Sequence, residues 1–426
     1  QVCAQTSGRF LIVAPLGVRQ EFRRDADALG IPLTFVRRLD ECAAAGVYIT
    51  NYETVRDGKL DPREFDGASL DEASCLRGFG GTKTFREFMA LFAGDDRRDM
   101  SQRKVGERVR YRFVATATPS PNEFIELLAY SAFLSVMDVG TAKTRFFQRD
   151  SEKADNLTIH PHKTAEFWRW VSTWAVFVPR PSDIVTTYSD EGYALPELDV
   201  QWHEIPTDHK GRAGLERADI RAKKKAANGG TDRPMQQAKM FADTAAGIVE
   251  ASREAKHSVG DRIAKLMELR ALNPGKHRVI WHDREDERHA IEKAIPGIAT
   301  VYGSMTDLAE REEIIGAFAD GTIAELAAKP VMLGSGCNFQ RHCAEAVFLG
   351  VGYKFNDFIQ AVHRVYRFLQ SERVTIHIIY TEAQREVRRV LQEKWAAHNE
   401  LVSQMTAVVR EYGLGVVAHD GLTDKL

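Results

Sequence analysis

Short apolar runs alternate with helical stretches twice along this chain, and that alternation limits the fold more than any other feature. In the first block, "RFLIVAP" (Arg9 to Pro15) reads as a buried strand and "QEFRRDADALG" as a helix ended by Gly30. "VYITNYETV" reads as a second strand, "GASLDEAS" as a third ending in acid, and "YRFVATATP" as a fourth ending in Pro119. Strands alternating with helices imply a parallel sheet covered on both faces. In such sheets ligands gather at the carboxyl ends of the strands, where "PLG", "DEAS" and "TATPSPN" fall. A second block opens near residue 240 with a long helix to about Leu272. It continues through "RVIWH", the helix "EDERHAIEKAI", "ATVYGS", the helix "DLAEREEIIGAFADG", and the strands "KPVMLGSG", "AEAVFLG" and "RVTIHIIY". The expected class is α/β, with two parallel-sheet lobes in tandem.

The stretch between the blocks differs. "TAEFWRWVSTWAVF" gathers Trp168, Trp170 and Trp174, which read as core or lobe-to-lobe packing, and "DHKGRAGLERADIRAKKKAANGGTDRP" is polar and basic. A long charged helix with a short tail closes the chain. With 426 residues there is room for two or three cores. A net charge of -2 argues against a generally basic nucleic-acid coat, leaving room only for a local stripe. No run of 18 apolar residues is present, so no spanning helix is expected. The five scattered cysteines fit no familiar zinc spacing and imply a reduced, intracellular (cytoplasmic) protein. With no initiator methionine or signal peptide, and almost no lead before the first strand, the chain is expected to be a fragment.

Several short segments carry chemistry. On a helical wheel of "QAVHRVYRFLQ", Gln360, Arg364 and Arg367 fall within about one-sixth of a turn, with Gln370 beside them. Phe358, Ala361, Val362, Val365, Phe368 and Leu369 take the opposite arc. Two arginines one turn apart suit a polyphosphate, although a solvated basic face gives the same pattern. Asp71 and Glu72 in "LDEAS" follow a strand, where Asp71 suits Mg²⁺ and Glu72 suits polarising a water. A strand-end turn would look the same. Thr116 and Thr118 in "ATATPSPN" offer hydroxyls at the next strand end, or simply a Thr-Pro turn. "GSGCNFQ" (Gly334 to Gln340) follows a strand with glycines that admit close approach, and Asn338 and Gln340 can hydrogen-bond phosphate or sugar. A tight turn is the alternative.

In this order the segments resemble the superfamily 2 helicases (DEAD/DEAH-like), most closely the Swi/Snf-type DNA translocases and their phage-type relatives. The resemblance spans roughly residues 9 to 385. It implies two RecA-like lobes at 1–150 and 241–385, an insertion or linker at 151–240, and a C-terminal helix and tail at 386–426. It also implies ATP and Mg²⁺ as cofactors and DNA as partner, held mostly by phosphates. Asp71, Glu72, Arg364 and Arg367 would be catalytic, with Asp71 on the metal. Gln360, Gly336 and Thr116 would bind the nucleotide, and Pro15, Leu16, Asn51, Tyr52, Asn338 and Gln340 the DNA. His363 and Leu369 depart from the family, which usually has an acid and a glycine there. "FFQRD…TAEFWRWVSTWAVFVPRPSDI" further resembles helicase regions that precede a DNA methylase in some phage proteins.

The family's phosphate loop, G-x-x-x-x-G-K-[ST], is not found. "GFGGTKT" (Gly78 to Thr84) and "GTAKT" (Gly140 to Thr144) lack its spacing. The loop is therefore expected upstream of Gln1, leaving this chain alone inactive as an ATPase and its parent an ATP-driven helicase or translocase. The alternative is a motor-derived DNA-binding or scaffolding module that no longer hydrolyses ATP.

Overall fold

A computed structural model describes residues 8–76, 82–96, 104–116, 124–149, 157–206, 257–305, 307–333, 337–352 and 354–412. The first lobe runs through β1 (Arg9–Ala14), α1 (Arg19–Ala28), β2 (Leu33–Phe35), β3 (Gly46–Asn51), the short α2 (Tyr52–Arg56), β4 (Gly67–Asp71) and α3 (Lys83–Ala93). A two-stranded ladder of β5 (Asp95–Asp96) and β6 (Lys104–Val105) follows, then β7 (Tyr111–Ala115). The five-stranded sheet is parallel in the order β2-β3-β1-β4-β7. Thr82 caps α3 by accepting from the Phe85 amide at 3.2 Å. Gly94 ends that helix at φ 70°, where an added Cβ would lie 2.4 Å from the Gly106 carbonyl oxygen.

Beyond the sheet come α4 (Leu127–Phe133), α5 (Val139–Phe146), the antiparallel pair β8 (Phe147–Arg149) and β9 (Leu157–Ile159), and α6 (Thr164–Ser172). These elements bury Trp168 and Trp170 in the first lobe's core, with Trp170 stacked 5.0 Å from Phe146. The tryptophan cluster is thus internal packing.

The second lobe holds β10 (Leu198–Ile205), α7 (Val259–Leu272), β11 (Arg278–Trp281), α8 (Glu285–Ala294), β12 (Ala299–Val301) and α9 (Leu308–Ala319). It continues with β13 (Glu325–Ala328), β14 (Glu345–Phe348), α10 (Phe355–His363), β15 (Val374–Thr381) and α11 (Arg385–Tyr412). Its six strands are parallel, in the order β10-β15-β14-β11-β13-β12. β11 and β14 are buried on both faces, as central strands of a covered parallel sheet must be.

Four local expectations need correction. β13 is Glu325–Ala328 rather than "KPVMLGSG", because Pro330 has no amide to give a ladder and opens a short 3-10 turn instead. The strand "VYITNYETV" stops at Asn51, where α2 begins. "LDVQWHEI" lies in the stretch assigned to the insertion, yet forms β10 and pairs with β15. Finally, α10 ends at His363, so "QAVHRVYRFLQ" is not one helix. The amide of Phe339 donates to the Arg364 carbonyl at 3.1 Å, and the Gln370 side chain donates to the carbonyls of Cys343 and Val365. These contacts turn the chain, so Phe368 and Leu369 are 39% and 45% exposed instead of buried.

The two cores share one element. Val387 and Leu391 of α11 pack in the second lobe, whereas Leu401 and Met405 of the same helix pack in the first. Arg410 near its end donates to the buried Asp183 at 2.8 Å. Among the described residues no helix is long and apolar enough to cross a membrane.

Candidate functional site

In the first sheet, the chain leaves β1 toward β2 on one side and leaves β4 toward β7 on the other. Their carboxyl ends therefore border the point where strand order reverses, the place at which an open parallel sheet leaves a crevice. A cleft of about 160 Å³ lies there, lined by Val18, Glu21, Phe22, Asp25 and Asp71 from the first lobe and by Asn338 and Arg367 from the second.

Asp71 ends β4 and points into this cleft. Burial raises its carboxyl above the ordinary range, while the Glu72 amide and the Arg364 guanidinium pull it part of the way back. Glu72 sits at φ 53°, a left-handed conformation that costs a non-glycine residue about 1–3 kcal/mol and gathers at functional sites. Its Oε2 accepts from Gln360 Nε2 of the second lobe at 3.1 Å.

Arg364 is buried, and desolvation lowers its pKa against the opposing pull of Cys337, Glu72 and Asp71. Arg367 is likewise lowered by desolvation and by Arg364, with Glu21 and Asp25 opposing. Arg367 Nη1 donates to Asn338 Oδ1, and Asn338 Nδ2 donates to Glu21 Oε2 at 2.9 Å. Burial raises the Glu21 carboxyl, partly offset by Arg24. Next to Glu21 in the first turn of α1, Arg19 and Gln20 both donate to Glu312 of α9, at 3.2 and 2.6 Å.

The remaining candidates divide. Pro15 and Leu16 follow β1 at the lip of the crevice, and Asn51 ends β3, accepting from the Thr54 hydroxyl. Tyr52 turns inward: its hydroxyl donates to the Asp71 carbonyl and its ring stacks 5.6 Å from Phe88. Gln340 is buried, 4% exposed. Thr116 follows β7 directly. Gly336, Gly334 and Thr118 lie outside the described residues. So do Gly78 to Gly81 of the first glycine-rich decoy. In the second, the Gly140 and Thr141 amides donate to Asp138 Oδ1 at 2.9 and 3.1 Å, so that helix start is already taken by a carboxylate.

Glu21, Asp25 and Glu312 escaped the sequence reading. The signal was slight: one acid inside the basic run "VRQEFRR".

No family model and no curated protein matches this chain. Among solved structures, one described as "Sulfolobus solfataricus SWI2/SNF2 ATPase core in complex with dsDNA" is 17% identical, with 96% of this chain and 86% of that chain covered. The TM-score is 0.34, too low to carry an argument about this chain.

Proposed function

We propose that the chain is the motor of a superfamily 2 helicase or DNA translocase, with ATP and Mg²⁺ held in the cleft between the lobes. The supporting observation is that Asp71 and Glu72, at the end of β4, come together at one crevice with Gln360, Arg364 and Arg367 of the other lobe.

The donor set suits the cofactors. Of the carboxylates that border the cleft, Asp71 stands at the strand end, where it suits the metal of a magnesium-phosphate complex better than a bare polyanion. Asp71 would hold the metal, which supplies positive charge against the phosphates. Glu72 would orient an attacking water and take its proton. Arg364 and Arg367 would stabilise charge growing on the terminal phosphoryl oxygens. Gln360 keeps Glu72 aimed across the cleft. DNA would pass over Pro15, Leu16 and Asn51, gripped through phosphates with little base readout.

DNA-stimulated ATP hydrolysis by the chain extended upstream through the preceding reading frame, and by Glu72→Gln and Arg367→Ala copies of that longer protein, tests this. A stimulated rate that both substitutions remove supports the motor. DNA binding that weakens with salt at an unchanged slope in all three proteins, without ATP turnover, would instead identify the motor-derived DNA-binding module.

A further inference from the structure

We propose that the first turn of α1 is a ligand-free clasp, in which Glu21 and Glu312 stand in for phosphate and hold the cleft shut. This rests on reading the cleft as a phosphate site, and it adds a means of regulating that site.

Three consecutive residues of one helix turn reach the second lobe. Arg19 and Gln20 share the two oxygens of Glu312, and Glu21 takes the amide of Asn338. Asn338 in turn holds Arg367 through its other atom, so the Glu21 carboxylate immobilises the arginine at second hand. Each donor (two guanidinium groups and two amides) is of the kind that binds phosphate oxygens, and each faces a carboxylate or a group that carboxylate holds.

The Arg19–Glu312 pair is about one-third exposed on both partners, the setting in which an ion pair contributes little. A clasp built of such contacts can be released by a ligand that binds the same donors better, because only differential affinity shifts the balance between closed and open forms. Glu21 is the more buried acid, and desolvation weakens its hold on the proton-free form. A multiply charged phosphate accompanied by Mg²⁺ would therefore displace a partly desolvated competitor. By this account Arg367 is withheld from chemistry until ligand arrives.

The test uses the whole chain and the double substitution Glu21→Ala/Glu312→Ala, with Asp25→Ala as control. Asp25 lines the same cleft but is in neither contact, so it removes charge without opening the clasp. Amide hydrogen exchange is followed in α1 and in residues 337–343 without ligand, and binding of inorganic tripolyphosphate with Mg²⁺ is measured by calorimetry at fixed ionic strength. The expected result is faster exchange in both segments and roughly tenfold tighter binding in the double variant, with unchanged exchange and a much smaller gain in the control. Unchanged exchange in the double variant overturns the clasp. Faster exchange with equal or weaker tripolyphosphate binding overturns the competition. An equal gain from Asp25→Ala also overturns it, since charge alone would then explain the affinity. Faster exchange in a protein that binds no tripolyphosphate, before or after substitution, overturns the phosphate reading of the cleft while leaving the lobe-to-lobe contact intact.

Discussion

Leu369 occupies a backbone conformation that would suit glycine. Its φ is 67°, and its amide donates to the Gly192 carbonyl at 2.6 Å. Gly192 itself has φ 78°, and a Cβ there would stand 2.8 Å from Leu369 Cδ2. The sequence marks Leu369 as a departure from the helicase pattern, and the backbone explains how the departure is tolerated. Leu369 keeps the left-handed backbone, and Gly192, in the segment that leads into β10, leaves room for its side chain. Gly192→Ala should destabilise by about 1–2 kcal/mol, mostly from left-handed strain. Pairing it with Leu369→Ala should restore part of that by removing the collision, giving non-additive urea midpoints. Purely additive midpoints would remove the explanation. Tyr52 makes a second case. Its hydroxyl fixes the carbonyl just before the strained Glu72, so Tyr52→Phe should cost about 1 kcal/mol in a urea melt. It should also lower turnover more than nucleotide affinity if the cleft hydrolyses ATP. Sequence showed the acid pair because it follows a strand. It could not show that Tyr52 supports that pair from within, since "NYE" reads equally well as a surface motif.

At the level of elements, β10 pairs among the described residues with β15 alone, and the join carries an unusual pair. His203 Nε2 and His377 Nδ1 are 3.1 Å apart. Burial is the main cause that lowers both rings to a pKa of about 4; Lys265 adds to it for both, as do His377 for His203 and Arg278 for His377, while Glu268 and Asp199 oppose. Unfolded histidines take up protons near pH 6.5, so as pH falls the unfolded chain binds protons first. Stability contributed by the neutral pair is therefore present above about pH 6.5 and is lost on the way to about pH 4. Urea midpoints should fall between pH 7 and pH 5, and His203→Gln/His377→Gln should flatten that slope. Exchange of β10 amides should rise before that of β11, because an edge strand has fewer ladder bonds to lose. An unchanged slope in the double variant would show that the pair does not set it. Strands of this kind were legible when they stood inside an alternating block, as β11 and β14 do. β10 was hidden by its setting, next to a basic polar stretch. The end of α10 was hidden for another reason. Apolar spacing continues through Leu369, and only the tertiary contacts of Phe339 and Gln370 with the turn stop the helix at His363.

Across the whole molecule, the two alternating blocks foretold two parallel sheets, and nothing in the local pattern foretold how they are joined. The last helix reads as long and charged, and its apolar positions are divided between two cores too far apart in sequence to be matched by inspection. Leu391 serves one and Leu401 the other. Ala397 lies exposed between them, so Ala397→Pro interrupts α11 while leaving both anchor sets in place. The break should cost about 3 kcal/mol. It should also divide a single denaturation transition into two, read by calorimetry, and one intact transition would mean that the contacts across the cleft suffice to couple the lobes without α11. Because α11 is 28 residues long, it forms a rod of about 42 Å embedded at either end in a different body. In kinematic terms, two bodies anchored on a common rod cannot slide apart along it, and the motion left to them is a swing that bends or twists the rod between its anchors. In a motor of the kind proposed above the stroke would be such a swing, with α11 at its pivot and the far side of the cleft travelling furthest.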